Sequence, residues 1–231
     1  MNYMRHIMAL VQKDIVAELR TKEMLNSMVL FVLLTMVVFN FAFGSGSAME
    51  AVSSGLLWVA FMFAAILGLN RVFVHEKDEG CLDGLMLCPM DRSAIYFSKA
   101  ISNFVFLTLV ELIAFPVFTI FFVQKSFLSH LWFLIIILLL SNVGISAVGT
   151  LLSAVSINTK ARDLMLPILF LPVIVPILVA AVKSTELVLT ASAIDVQKFE
   201  TDMIVWLRTL AIYDIIFVLV GFLTFEYVVE E

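Results

Sequence analysis

Charge is scarce in this chain: 14% of its 231 residues are Asp, Glu, Lys or Arg, while 62% are hydrophobic and the mean hydropathy is +1.09. Soluble domains carry about 25% charged residues. A chain this poor in charge cannot cover its surface with water-compatible groups, so lipid is its solvent. No G-x-x-x-x-G-K-[ST] segment occurs, which excludes a phosphate loop of that type here. Residues 44–47 are rich in Gly and Ser but lack the lysine. Histidine is sparse, and His6, His75 and His130 are scattered along the chain, so no Ser/His/Asp or Cys/His arrangement is gathered in one place. No catalytic residue and no metal site is expected. The two cysteines, Cys81 and Cys88, share one polar loop. Placed in the cytoplasm, they are disfavoured as a disulfide, and without partnering histidines they are too few for a zinc site. The start of the chain does not read as a secretory leader. The first apolar run begins only near Met24, after Asp14 and Glu18, so the start of the chain is expected to be retained.

What the chain has instead is long apolar runs. Six follow one another, at about 24–43, 56–73, 100–123, 131–155, 164–182 and 204–227. Each approaches or exceeds the roughly 18–20 residues that span hydrocarbon. Unpaired backbone groups are not tolerated in lipid, so these runs are expected to be helices. Before them, residues 3–21 read as an amphipathic helix lying in the membrane interface. Met4, Ile7, Met8, Val11, Ile15 and Leu19 recur at steps of three and four, with Lys13, Glu18 and Arg20 mainly opposite. The expected fold is all-α: one interfacial helix and six transmembrane helices in a single domain, 1–231.

Orientation follows from lysine and arginine. With the N-terminus inside, cytoplasmic segments hold Arg5, Lys13, Arg20, Lys22, Arg71, Lys77, Arg92, Lys99, Lys160 and Arg162. The outside keeps Lys125, Lys183, Lys198 and Arg208. That asymmetry satisfies the positive-inside rule, with both termini cytoplasmic. The net charge of −5 is divided between the two sides of the membrane and says little about partners. No nucleic acid is expected among them. Residues 183–203 form the long outside connection, expected as short surface helices. The cytoplasmic loop 74–98 is long and charged, yet partly apolar.

Three features could carry function. Glu111 lies midway along the third run, where an ionisable group marks a substrate or helix-pairing contact. Pro167, Pro172 and Pro176 punctuate the fifth run. Pro167 can sit in the first turn, whereas Pro172 and Pro176 each remove a backbone hydrogen bond and kink the helix. A bent helix at that depth either packs statically or lines a cavity or gate. In the loop, Gly80 and Pro89 bracket a short amphipathic segment in which Leu82, Leu85 and Met86 stand among charges. Glu76, Asp78, Glu79 and Asp83 would be repelled by anionic lipid, so a protein groove is the favoured target. In the fourth run, Gly149 with Ser153 and Ser146 with Thr150 stand at four-residue spacing and let helices approach closely.

The loop E-K-D-E-G-C-L-D-G-L-M-L-C-P at 76–89 and the stretch L-P-I-L-F-L-P-V-I-V-P-I-L at 166–178 resemble the ABC-2 type exporter permeases. More narrowly, the chain is similar to the haem exporter protein B (CcmB) family of cytochrome c maturation. Length and span order extend the resemblance over nearly the whole chain, and residues 225–231, ending in Glu230 and Glu231, depart from it. The resemblance implies ABC-2 permease architecture in a bacterial cytoplasmic (inner) membrane. ATP would sit on a separate ATPase subunit, with a second permease copy, a haem-handling membrane subunit and a haem chaperone as further partners. Residues 79–89 would be the coupling helix, with Leu82, Leu85 and Met86 as apolar anchors and Glu79 and Asp83 facing basic residues of the ATPase. Haem is the implied cargo, and this chain is expected to bind no resident cofactor. No span carries a histidine to ligate haem iron, which leans toward ATP-driven release of haem-loaded chaperone. An ABC-2 permease for a drug, lipid or polysaccharide is one alternative, and an ATP-independent scaffold or transporter is another.

Overall fold

The computed structural model describes residues 2–43, 47–78, 80–86, 91–122, 130–157, 159, 161–191 and 195–230. Among the described residues the chain is helical throughout, with short turns between elements: α1 Asn2–Thr21, α2 Glu23–Phe43, α3 Ser47–Leu69, α4 Val74–Asp78, α5 Cys81–Met86, α6 Arg92–Phe122, α7 Leu131–Ile157, α8 Arg162–Thr190 and α9 Val196–Glu230. Six of these are long and apolar enough to cross a membrane, and they match the six runs read from the sequence. The protein is therefore an all-α membrane protein with a separate N-terminal amphipathic helix.

α1 joins α2 at Lys22, whose φ of 56° breaks the helix. Glu18, which the sequence pattern puts on the polar side, instead turns inward, and its Oε1 accepts the amide of Leu25 at 2.9 Å. It thereby caps the first turn of α2. The apolar stripe of α1 divides in two. Ile7 and Val11 are buried against Ala94 of α6, with Tyr3, Ile15 and Phe97 around them. Met4, Met8 and Leu19 stay exposed, because α6 covers one edge of the stripe and leaves the other outward.

Three sequence boundaries are corrected. α6 begins at Arg92, not 100, so the last residues of loop 74–98 are its first turns. Its 31 residues reach about 46 Å, longer than the roughly 30 Å of hydrocarbon. Residues 183–203 are not a set of short surface helices: α8 continues to Thr190 and α9 starts at Val196. The continuation is stabilised by the Lys183–Glu186 pair at 2.9 Å and by buried Thr185, which accepts the indole N–H of Trp58 at 2.9 Å. Finally, α8 starts at Arg162, so Pro167 lies beyond the first turn and also removes a ladder bond, the one to Asp163.

α7 is the centre of the bundle, packed between α6, α8 and α9, with α3 against one side. Ser141, Asn142, Gly144, Ser146, Gly149, Thr150 and Ser153 are all buried on it. At Gly149 a Cβ would lie 2.3 Å from Leu69 Cδ1, so the small residue is what permits α3 to approach. The sequence reading of this span as a close-packing helix agrees with that contact.

Candidate functional site

One corner of the bundle gathers the loop 74–98. α4 follows the turn after α3, and Gly80 leaves it at a φ of +68°, a conformation glycine adopts without strain. Its amide closes onto the carbonyl of Lys77 at 3.1 Å. α5 then carries Leu82, Asp83 and Met86, whose backbones are helical and whose side chains fall outside the described residues, as do Glu79 and Pro89 entirely. Leu85 is half-buried and packs against the main core. One of the three expected apolar anchors therefore already holds the loop to its own bundle.

Beneath α4 lies an ionic cluster that charge counting alone did not reveal. Lys99 of α6 is 5% exposed. Its ammonium reaches Asp14 of α1 at 3.1 Å and is hydrogen-bonded to Glu76 of α4. Half-exposed Lys13 bridges the same two carboxylates, at 3.2 Å to Asp14 and 2.9 Å to Glu76. Ser102 Oγ donates to Asp14 at 3.4 Å, and the Phe73 ring centroid lies 5.5 Å from the Lys99 ammonium. Two cations thus meet two anions, so the buried charge is compensated. Burial opposes ionisation of Glu76, yet the charge of Lys99 and hydrogen bonds from Lys99 and Lys13 outweigh it and hold the carboxyl below its ordinary range. Burial likewise opposes the charge on Lys13, but its bonds to Glu76 and Asp14 prevail and raise its pKa. Next to the cluster, Lys77 Nζ donates to the Ile157 carbonyl at the end of α7 at 2.7 Å. A sequence signal for this site did exist. Asp14 follows Ile7 and Val11 at steps of four and three, so it interrupts an apolar face and needs a cation there.

Deeper in the bundle, side-chain hydrogen bonds replace ion pairs. Glu111 is buried on α6 and turned toward α7, where Asn142 Nδ2 donates to it at 2.7 Å and to Thr108 at 3.3 Å. Asn103 donates to Thr150 at 2.9 Å, and Ser153 to the Leu69 carbonyl at 2.8 Å. The sequence reading singled out Glu111 and missed Asp214, an equally unmistakable acid inside the last run. Asp214 is buried against the gap at Gly144, where a Cβ would stand 2.5 Å from its Oδ1. Its neighbour Tyr213 donates its hydroxyl to the Val173 carbonyl, in the turn before Pro176. The α9 tyrosine thus serves backbone in the stretch of α8 that the prolines disturb.

The prolines face outward. Pro172 and Pro176 are exposed and Pro167 is half-buried, on a face shared with Leu164, Ile168, Val175 and Val179. They do not meet Glu111, which sits on the α6–α7 side, so the two halves of the expected path are not brought together within one chain. A separate apolar cleft of about 240 Å³ opens between α6, α7 and α9, walled by Tyr96, Phe97, Phe104, Val143, Ala147 and Val218. No group of three or more His, Cys, Asp or Glu able to hold a metal occurs among the described residues.

Comparison with known proteins agrees with the architecture. The profile of the family described as CcmB protein matches residues 5–229. Heme exporter protein B of Rhodobacter capsulatus is 29% identical over 172 residues, 74% of this chain and 78% of that protein. The Pseudomonas aeruginosa protein of the same name is 26% identical over 161 residues, 69% of this chain and 71% of its own. That of Bradyrhizobium diazoefficiens is 24% identical over 187 residues, 80% and 83%. With the profile covering nearly the whole length, and six membrane-length helices in place, the chain belongs to the CcmB protein family.

Proposed function

We propose that this chain is the membrane-spanning permease subunit of an ATP-binding cassette transporter serving haem export in cytochrome c biogenesis. The relatives' shared name, heme exporter protein B, supports haem as what the system handles. The observation that carries the reading is the cytoplasmic corner: α4 and α5 form a compact hook, tied to the bundle through Glu76, Lys77 and Leu85. A groove on an ATPase that captures α5 would move a segment already fastened to α1, α6 and α7. Glu79, Asp83, Leu82, Met86 and Pro89 are the residues proposed to meet it. ATP would bind and be hydrolysed on that partner, and this subunit is non-catalytic.

The outward prolines of α8 favour a second copy. Pro167, Pro172 and Pro176 mark an exposed, bendable helix face, so a path gated by them would run between two permease chains. Haem need not itself cross. His6 and His75 lie in α1 and α4, and His130 precedes α7 against Phe199 at 5.0 Å, so none offers an imidazole to haem iron inside a span. Release of a haem-loaded chaperone by a haem-handling membrane subunit, driven by the ATPase cycle, fits that distribution better. The chain would lie in the bacterial inner membrane with both termini cytoplasmic. A tagged copy purified in mild detergent tests the reading by mass spectrometry of what accompanies it. An ABC ATPase together with cytochrome c maturation subunits is the expected outcome. An ATPase without them points to another cargo, and a folded preparation with no ATPase overturns the proposal.

A further inference from the structure

We infer that α1 is a moving part of the transmission rather than a passive anchor, with Lys99 as the positioning residue that binds α1 and α6 to the loop helix α4. The inference rests on the ATP-coupled reading above and names the residues through which the load passes. One buried ammonium touches carboxylates from two other elements, Asp14 eighty-five residues earlier and Glu76 twenty-three residues earlier. An ammonium has three donors and no acceptor, so Lys99 can hold both acids at once. Lys13 closes the ring from the solvent side.

α1 is otherwise held mainly to α6. Its buried Ile7 and Val11 form a small cluster with Ala94, half-buried Leu10 and Ile15 reach the main core, and the Tyr3 hydroxyl meets that of Ser93 at 3.0 Å. The bond joining α1 to α4 is ionic, from Lys13 to Glu76, with Lys99 bridging Asp14 and Glu76 beside it. Apolar side chains of similar volume would fill this space without the cost of burying charge. An ionic ring differs from such a filling in being directional. Displacement of Glu76 pulls on Lys99, and through it on Asp14, so α4, α1 and the first turns of α6 shift as one body. Since α1 exposes Met4, Met8 and Leu19 on its other edge, its movement would be felt at the membrane surface as well as in the bundle.

Hydrogen–deuterium exchange on the complex in nanodiscs, with and without a non-hydrolysable ATP analogue, tests this. In the wild type the analogue should change exchange in α1 and early α6 together with α4–α5. In Lys13→Met/Lys99→Met, which removes both cations that hold Glu76, the change should persist in α4–α5 and fall several-fold in α1, while Lys13→Arg/Lys99→Arg keeps it. An α1 that does not respond in the wild type, or responds equally in Lys13→Met/Lys99→Met, overturns the inference. Should that variant fail to assemble, Lys13→Met/Asp14→Asn leaves Glu76 on Lys99 and removes both of α1's bonds to the ring. The α1 response should then fall several-fold while α6 still responds, and an undiminished α1 response refutes the linkage. An ATPase that never accompanies the wild type overturns the ATP-coupled reading and this inference with it. An ATPase that binds and turns over while α1 stays silent overturns this inference alone.

Discussion

Replacing Gly221 by alanine tests how tightly α6, α7 and α9 are fitted together at the end of the bundle that carries α4. A Cβ at Gly221 would stand 2.1 Å from Tyr96 Oη, 2.3 Å from Cζ and 2.8 Å from Cε2. Tyr96 is fully buried, its hydroxyl donates to the Ala147 carbonyl at 3.2 Å, and its ring packs between Phe97 and Phe225 at centroid distances of 5.4 and 5.5 Å. A flexible side chain could fold away from the new methyl, but a ring wedged between two others cannot. Either the ring or α9 must shift, an overpacking cost of about 1–3 kcal/mol. Losing the hydrogen bond to Ala147 adds about 0.5–1.5 kcal/mol. The expected destabilisation is about 2–4 kcal/mol, measured by denaturant titration of the protein in bicelles. Tyr96→Val alone leaves a cavity and costs about 3–5 kcal/mol. In the double variant the alanine methyl enters that cavity, so the total should fall short of the sum by about 1–2 kcal/mol. Strict additivity, or a Gly221→Ala protein as stable as the wild type, would refute the contact.

Asn142→Leu removes the donor to Glu111 and Thr108 and should destabilise by about 0.6–1.7 kcal/mol, read by the same titration, with Glu111→Leu in the same background recovering part of the loss. Tyr213→Phe withdraws the donor from the Val173 carbonyl next to Pro176. It should speed hydrogen exchange in that stretch of α8 without altering α1, and unchanged exchange there would remove the tyrosine from any role at the proline bend. The corner should also depend on pH in a defined direction. Glu76 is held below its ordinary 4.5, so its contribution is present above pH 4.5 and is lost as pH falls through the folded value. Lys13 is held above its ordinary 10.5, so its contribution is present below pH 10.5 and is lost as pH rises through the folded value. Protection of α1 should therefore be level between about pH 5 and 10 and decline on either side, with the acid decline shallower in Glu76→Gln.

Most of the architecture was legible in the sequence because a bilayer imposes it. Any apolar run of spanning length has one backbone solution, and residues 24–43 or 131–155 could hardly do otherwise. The ends were less legible, since nothing in hydropathy stops a helix at the membrane surface. α6 runs on through Lys99, and α8 through Lys183 to Thr190, because hydrogen-bonded turns continue wherever side chains satisfy them. At the corner, the loop's amphipathic character was visible from Leu82, Leu85 and Met86, whereas its fastening was not. Lys13, Asp14, Glu76 and Lys99 lie in three separate elements, and only folding brings them together. Asp214 was as plain in the last run as Glu111 in the third, and what the sequence did not give was its partner position: only the folded bundle sets it buried against the gap at Gly144.

The kind of polar contact changes with depth, and the change bears on what can move. Lys99 lies about two turns into α6, and its partner Lys13 remains half-exposed, so water reaches the rim of the ionic ring. Asn103 and Thr150, about one turn further, are both buried, and Glu111 and Asn142 sit two turns deeper again. A hydrogen bond broken there leaves a group with few alternatives. A push delivered at the corner, as the proposed ATP coupling would supply, would pass through that ring into the first turns of α6, where the α6–α7 seam above resists sliding. Load that cannot be absorbed by sliding within the seam must be passed on as rigid movement of whole helices. α8, with three prolines interrupting its ladder, is the long helix best able to bend in response.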